Sequence, residues 1–208
     1  MAQDRDPERM IHSEMDQLRS LRGKKDELQT YWEERYSETY TTLFEDRSKL
    51  GRYGVIAEYL ARVVREGLVL DAGCGPGILA TLLPAPALSY VGIDIAPEAI
   101  RLAKAKNPGS GVRFYCSALE DFRTPERYQA IVANEILYYV DDREFMKHVD
   151  RLLAPGGHFV ASLYDFDEGR KLIPVIAGML KNPFTCEVYN DDKKLKWVIL
   201  AGELLRNQ

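Results

Sequence analysis

The sequence predicts an α/β fold: a doubly wound, mostly parallel seven-stranded sheet, closed by a C-terminal antiparallel hairpin, with helices on both faces. Three observations predict it. Short apolar runs alternate with amphipathic stretches from Leu68 to about Leu180, the pattern of strands joined by crossover helices. A glycine-rich turn directly follows the first of those runs. Two alternating segments close the chain around the polar turn Asn190-Asp191-Asp192-Lys193, which reads as a hairpin.

In chain order, residues 1 to about 13 are polar, and frayed ends of that kind are common. Glu14 to about Arg47 reads as irregular helix. Leu18, Leu21, Leu28 and Trp32 share a face, Gly23 interrupts it, and Tyr31, Tyr36 and Tyr40 crowd the second half. Ile56, Tyr59, Leu60, Val63 and Val64 follow helical spacing, with Gly67 placed as the stop. Leu68-Val69-Leu70 is the first strand, and a helix begins at Ile78. Ser89 to Ile95 is the second strand. Pro97 opens a helix ended by Asn107-Pro108-Gly109. Val112–Cys116 and Ala130–Ala133 are strands three and four. Asp141 or Asp142 caps a helix carrying Phe145, Val149, Leu152 and Leu153. Pro155-Gly156-Gly157 breaks it before a fifth strand, Phe159–Leu163. A helix over about Leu172–Leu180 follows, with Pro174 in its first turn, and then the hairpin Phe184–Tyr189 and Leu195–Leu200. The division expected is an N-terminal helical segment, 1–47, and one ligand-binding domain, 48–208.

Composition narrows the partners. The 208 residues carry a formal net charge of -4, which gives no electrostatic support for nucleic acid. No stretch reaches the roughly 18 apolar residues of a membrane span, and the charged N-terminus has no secretory pattern. Cys74, Cys116 and Cys186 are odd in number and lack metal spacing. They fit reduced thiols in a cytoplasmic protein with no metal, acting as a monomer or homodimer.

In open α/β sheets ligands bind beyond the carboxyl ends of the strands. There, Asp71-Ala72-Gly73-Cys74-Gly75-Pro76-Gly77 permits a tight turn and close approach of a ligand to the backbone. Asp94 ends the second strand 23 positions after Asp71, and an acid about 20 residues beyond such a loop can accept hydrogen bonds from ribose hydroxyls. Together they call for an adenosine-bearing cofactor. Gly75 to Ala80 also satisfies the loose dinucleotide pattern, so an NAD-dependent oxidoreductase stays open, as does a non-catalytic nucleotide-binding protein on the same fold.

The segments D-A-G-C-G-P-G and V-G-I-D resemble the first two motifs of class I S-adenosylmethionine-dependent methyltransferases. Val112-Arg113-Phe114 with Ala118–Phe122, Ala130–Tyr139, and Leu152-Leu153-Ala154-Pro155-Gly156-Gly157 resemble the later motifs in order. The resemblance implies S-adenosylmethionine as methyl donor and S-adenosylhomocysteine as product. It implies that Asp71 and Gly73 hold the methionine end, that Gly75 and Gly77 let the cofactor lie on the turn, and that Asp94 holds the ribose. Ile95, Ala118 and Leu119 line the adenine pocket, and Asn134 lies beside the sulfonium. Ala118 stands where many members carry an acid. The same resemblance implies an N-terminal helix over the site, and the absence of an Asn-Pro-Pro-Tyr motif favours a small-molecule acceptor, methylated on oxygen or nitrogen by in-line displacement. An acceptor that must lose a proton would use a base; the candidates at strand ends are Glu135, Asp165 and His158. Tyr36, Tyr138 and Tyr164 are the candidate acceptor-binding aromatics.

Overall fold

The structure, a computed structural model, describes residues 14, 16–38, 47–83, 88–109, 111–191 and 194–205. Tyr40, and Asp192-Lys193 of the hairpin turn, lie outside the described residues. The elements run α1 (Lys25–Glu38), α2 (Arg47–Val63), β1 (Gly67–Ala72), α3 (Ile78–Leu82), β2 (Leu88–Asp94), α4 (Pro97–Lys106), β3 (Val112–Cys116) and β4 (Tyr128–Asn134). They continue with α5 (Asp142–Leu152), β5 (Leu153–Tyr164), α6 (Asp167–Gly178), β6 (Leu180–Asn190) and β7 (Leu195–Leu204).

The seven strands form one sheet in the order β3-β2-β1-β4-β5-β7-β6. β1 pairs in parallel with both β2 and β4, while β7 runs antiparallel to β5 and β6. The order reverses between β1 and β4, so the ends of those two strands mark the switch point. Both faces of the sheet are covered because successive strand residues point to opposite sides. Leu70 and Ala72 pack with Phe145 and Val149 of α5 and Ile176 of α6. Val69 packs on the other face with Ile56 and Leu60 of α2, Leu79 of α3 and Ile100 of α4.

Local chemistry sets the helix ends. Pro97 stands in the first turn of α4, where its missing N–H costs nothing. The Asp141 side chain caps α5 by accepting from the Glu144 amide at 3.0 Å.

Three expectations are corrected. Gly67 does not cap α2; it is the first residue of β1, with φ +115°. Pro155-Gly156-Gly157 does not precede β5 but lies within it. Tyr128 pairs with Leu153 and Ala130 with His158, so these residues are accommodated as extra length on one strand, with Gly156 at φ +71°. Finally, α6 starts at Asp167, and Pro174 falls inside it. Asp167 and Glu168 favour an N-terminal first turn, and the helix tolerates the one hydrogen bond that proline removes.

Candidate active site

After β1 the chain turns sharply, with Gly73, Gly75 and Gly77 all at positive φ (+73°, +51° and +74°). The turn is tied to β2: the amides of Gly73 and Cys74 both donate to the Ile93 carbonyl, at 2.8 and 2.9 Å. Asp94 completes the clamp. Its Oδ2 accepts from the Gly75 amide at 3.0 Å and its Oδ1 from the Ala96 amide at 2.9 Å. Burial pushes its carboxyl up to about 6, against the pull of those amides.

Above this turn lies a cavity of about 540 Å³. One end is formed by Gly73, Gly75, Asp94, Ile95, Ala118 and Leu119. The other is formed by Arg52, Tyr53, Glu135, Tyr138, Tyr164 and Trp197, with Asn134 also in the lining. Most of the expected residues thus converge from the carboxyl ends of β1 to β5, together with Tyr36 from α1.

Asp71 and Gly77 lie outside the lining. A Cβ on Gly77 would stand 2.8 Å from Asn107 Nδ2 and 3.0 Å from Phe114 Cζ, so this glycine lets the loop pack on α4 and β3. Asp71 sits beneath the turn, 2 % exposed. Its Oδ2 accepts from the Tyr90 hydroxyl at 2.5 Å, and its Oδ1 has no partner among the described residues. Burial raises its carboxyl to about 7, outweighing the Tyr90 hydrogen bond. A carboxyl held more tightly protonated in the folded chain stabilises the fold at low pH, and that stability is lost as pH rises through about 7. Asp71→Asn, whose carbonyl can still accept from Tyr90, is therefore expected to melt several degrees higher than the wild type at pH 8, with the gap closing toward pH 4. Calorimetric melting across that range checks it; a gap independent of pH contradicts it.

Glu135 has a positive φ of 63°. Its carboxylate accepts from Ser162 Oγ at 2.9 Å and from the Tyr138 hydroxyl at 3.4 Å, while the Tyr138 oxygen in turn accepts from the Tyr164 amide. Tyr138 and Tyr164 both pack on Phe166, with ring centroids 5.1 and 5.7 Å away. The other two candidate bases are elsewhere. Asp165 pairs with Arg170 and Lys196 outside the cavity. His158 meets the Tyr59 hydroxyl at 2.8 Å and pairs across the sheet with Ala130, toward the start of β4.

Arg52, Tyr53 and Trp197 are among the cavity residues that were not expected from the sequence. Arg52 is 4 % exposed. Its Nε donates to Asn134 Oδ1 at 3.2 Å, and its guanidinium lies over the Trp197 and Tyr53 rings at 5.1 and 4.8 Å. A signal existed: Arg52 stands one helical turn before Ile56 on the apolar stripe of α2, a position where a charge calls for an explanation.

Gly23, Lys25, Leu28, Trp32 and Tyr36 of the N-terminal segment line the cavity. Lys25 pairs with Asp121 in the loop after β3. Arg22 meets Asp142 at 3.2 Å and Arg19 meets Glu168 at 2.5 Å. Trp32 and Tyr36 pack on Ala96 and Ala99 at the start of α4.

With this geometry, a family model described as "Methyltransferase domain" matches residues 70–161. The chain carries a methyltransferase domain over those residues. It is similar to the ubiquinone biosynthesis O-methyltransferase of Klebsiella pneumoniae strain 342, 32% identical over 159 residues, or 74% of this chain and 64% of that protein. The chain spans 49% and 40% of two other curated relatives. The fold is shared with N-methyltransferase NodS from Bradyrhizobium japonicum WM9, at a TM-score of 0.68 and 21% identity over 86% of this chain and 98% of that one. It is also shared with the 1,6-didemethyltoxoflavin-N1-methyltransferase of Burkholderia thailandensis, at a TM-score of 0.69 and 18% identity over 86% of this chain and 88% of that one. The matched segment includes the Gly75-to-Ala80 pattern. Among the described residues no helix is long and apolar enough to cross a membrane.

Proposed function

We propose that the chain binds S-adenosylmethionine in this cavity and transfers its methyl group to an oxygen or nitrogen of a small acceptor molecule. The observation that carries the reading is the Asp94 carboxylate, buried in the cavity wall and fixed by two backbone amides beside the glycine turn. A carboxylate offers about four acceptor sites, so Asp94 can also take the two hydroxyls of a ribose. Both named structural neighbours hold S-adenosylhomocysteine.

The residues fit the donor along its length. Gly73 lies in the cavity lining, on the side suited to the methionine end, and its missing Cβ makes room for Ile136, whose Cγ2 would stand 2.4 Å from it. Asp71 supplies buried negative character beneath it. Ile95, Ala118 and Leu119 offer an apolar slot for the adenine, with Ser117 and Glu120 as polar neighbours. Asn134 lies at the sulfonium end, and residues 23–36 act as the cover.

The bound sulfonium supplies an electrophilic methyl; the protein's work is to orient the nucleophile behind it and exclude water. Tyr138, Tyr164 and Trp197 wall the acceptor end. With a hydroxyl acceptor, the new O–CH3 bond forms as the C–S bond breaks, the electron pair stays on sulfur, and Glu135 receives the hydroxyl proton. Glu135→Gln is expected to lower kcat about 100-fold for a hydroxyl acceptor with donor affinity unchanged; an unaltered kcat removes Glu135 from the mechanism.

Calorimetric titration with S-adenosylmethionine, S-adenosylhomocysteine, NAD and NADP tests the whole reading. Binding of the first two alone is expected. Binding of NAD or NADP only, or of nothing, overturns it.

A further inference from the structure

We propose that Glu33, on α1, is a positioning residue for the methyl donor: it caps α4 from a distant part of the chain and so fixes the cavity wall that α1 contributes beside Asp94. The inference rests on the methyltransferase reading above. A helix begins with amides that have no partner inside it, and the side chain of the residue before its first turn ordinarily accepts from one of them. In α4 that residue is Ala96, and no side chain at that position caps the helix. Pro97, which follows, has no N–H to offer. The amides on either side of Pro97 are instead taken by two carboxylates from outside the helix. The Ala96 amide donates to Asp94 Oδ1 at 2.9 Å. The Glu98 amide donates to Glu33 Oε2 at 2.9 Å, across 65 positions of sequence.

The two carboxylates thus meet at one corner of the site. Asp94 is the residue assigned to the ribose, and Ile95 after it lines the adenine end. Glu33 does not line the cavity, but Trp32 before it and Tyr36 one turn after it do. Those two rings pack on Ala96, Ala99 and Leu102 of α4. Apolar packing of that kind is non-directional and does not fix how α1 is seated along α4. The bond from Glu33 is directional and charge-assisted, and it lies at the positive end of the α4 dipole. Ion pairs of exposed side chains also hold the segment, Arg22 with Asp142 and Arg19 with Glu168 among them, but such pairs contribute little each. Glu33 has an electrostatic reach as well. Burial first raises the Asp94 carboxyl, and the negative charge of Glu33 adds to that effect. Asp71 on β1, Cys74 in the glycine turn and Cys116 on β3 are the other titratable groups that interact with Asp94.

The test is calorimetric titration of the full chain and two variants with S-adenosylhomocysteine, from about pH 8 down to about pH 5. At the upper end Glu33→Ala is expected to bind about 5- to 10-fold more weakly than the wild type, the effect of losing a helix cap. Glu33→Gln keeps an oxygen that accepts from the Glu98 amide and is expected to recover most of that loss. The second readout is the fall in affinity on acidification, since ribose hydroxyls favour an ionised Asp94. Both variants remove the negative charge that helps hold Asp94 protonated, so in both the fall is expected to begin at a lower pH than in the wild type. A residue that merely stabilised α1 or α4 would not move that limb in Glu33→Gln. Melting of each variant reports whether it folds, and where Glu33→Ala does not, the acid limb of Glu33→Gln decides. Three results overturn the proposal: a folded Glu33→Ala within about twofold of the wild type, a Glu33→Gln that binds no better than Glu33→Ala, or an acid limb absent from the wild type or unmoved in the variants. Failure of the wild type to bind S-adenosylhomocysteine at all refutes the methyltransferase reading itself, a result distinct from normal binding that Glu33 does not affect.

Discussion

Asp94→Ala is expected to weaken binding of S-adenosylhomocysteine by about 100-fold or more, since a hydrogen bond to a charged group contributes roughly 1.5–3 kcal/mol and a ribose presents two hydroxyls. The loss has a second source within the protein. Asp94 holds the amides of Gly75 and Ala96 at 3.0 and 2.9 Å, and alanine leaves both without their acceptor, loosening the turn on which the ligand lies. Asp94→Asn restores part of the amide clamp and is expected to fall between the wild type and alanine. The same carboxylate gives a pH signature. Burial raises the Asp94 carboxyl to about 6 in the free protein, and the ligand's hydroxyls favour the ionised form. Binding must therefore expel a proton at low pH. Affinity is expected to be flat above about pH 7 and to fall toward tenfold per pH unit below about 6, a dependence that Asp94→Asn removes. Titrations between about pH 5 and 8 read both effects, and an alanine variant whose affinity stays within a few-fold of the wild type would separate Asp94 from the ligand.

Much of this site was legible in the sequence because its parts are local. The strand, the glycine turn and Asp94 lie within one short stretch, and each constrains the backbone by its own residue type. α4 and β3 were legible to the residue because Pro97 and Asn107 punctuate one and the β-branched and aromatic residues of Val112–Cys116 set the other. The failures have physical causes. Gly73 and Gly77 look alike in sequence, yet one faces the cavity and the other faces Asn107 and Phe114; which way a positive-φ glycine points depends on the tertiary packing. Asp71, expected at the methionine end of the ligand, lies outside the cavity lining, since strand alternation turns its side chain toward Tyr90 on the neighbouring strand. Pro155-Gly156-Gly157 and Pro174 carry the chemistry of breaks, yet pairing with β4 and the packing of Ile176 in the core hold them within regular elements. Arg52 was missed for a different reason: its partners, Asn134 and Trp197, are far away in the chain, and only the folded sheet brings them to α2.

Gly169→Ala is the substitution expected to damage the fold most, at a site that no sequence motif marks. Gly169 is the third residue of α6 and is buried. A Cβ there would stand 1.9 Å from the Tyr164 carbonyl oxygen and 3.1 Å from its carbon. No rotamer change relieves that contact, because both atoms are backbone at the end of β5. The same carbonyl accepts from the Phe166 amide at 2.9 Å, so moving it opens the turn into α6 and displaces Tyr164 from the cavity wall. Overpacking of this kind costs typically about 1–3 kcal/mol and occasionally more; with backbone forced apart, the upper part of that range is expected. For a chain of this size that corresponds to a fall in Tm of roughly 5–10 °C. Gly178→Ala is the control in the same helix: a Cβ there meets nothing within 4 Å, and its effect is expected to be neutral or slightly stabilising. The functional consequence separates the two ends of the cavity. Gly169→Ala should weaken acceptor binding through Tyr164 while leaving affinity for S-adenosylhomocysteine close to that of the wild type, because the Gly73–Gly75 turn and Asp94 lie on other strands. Equal melting temperatures for the two alanine variants would show that the close approach of α6 to β5 is not tight.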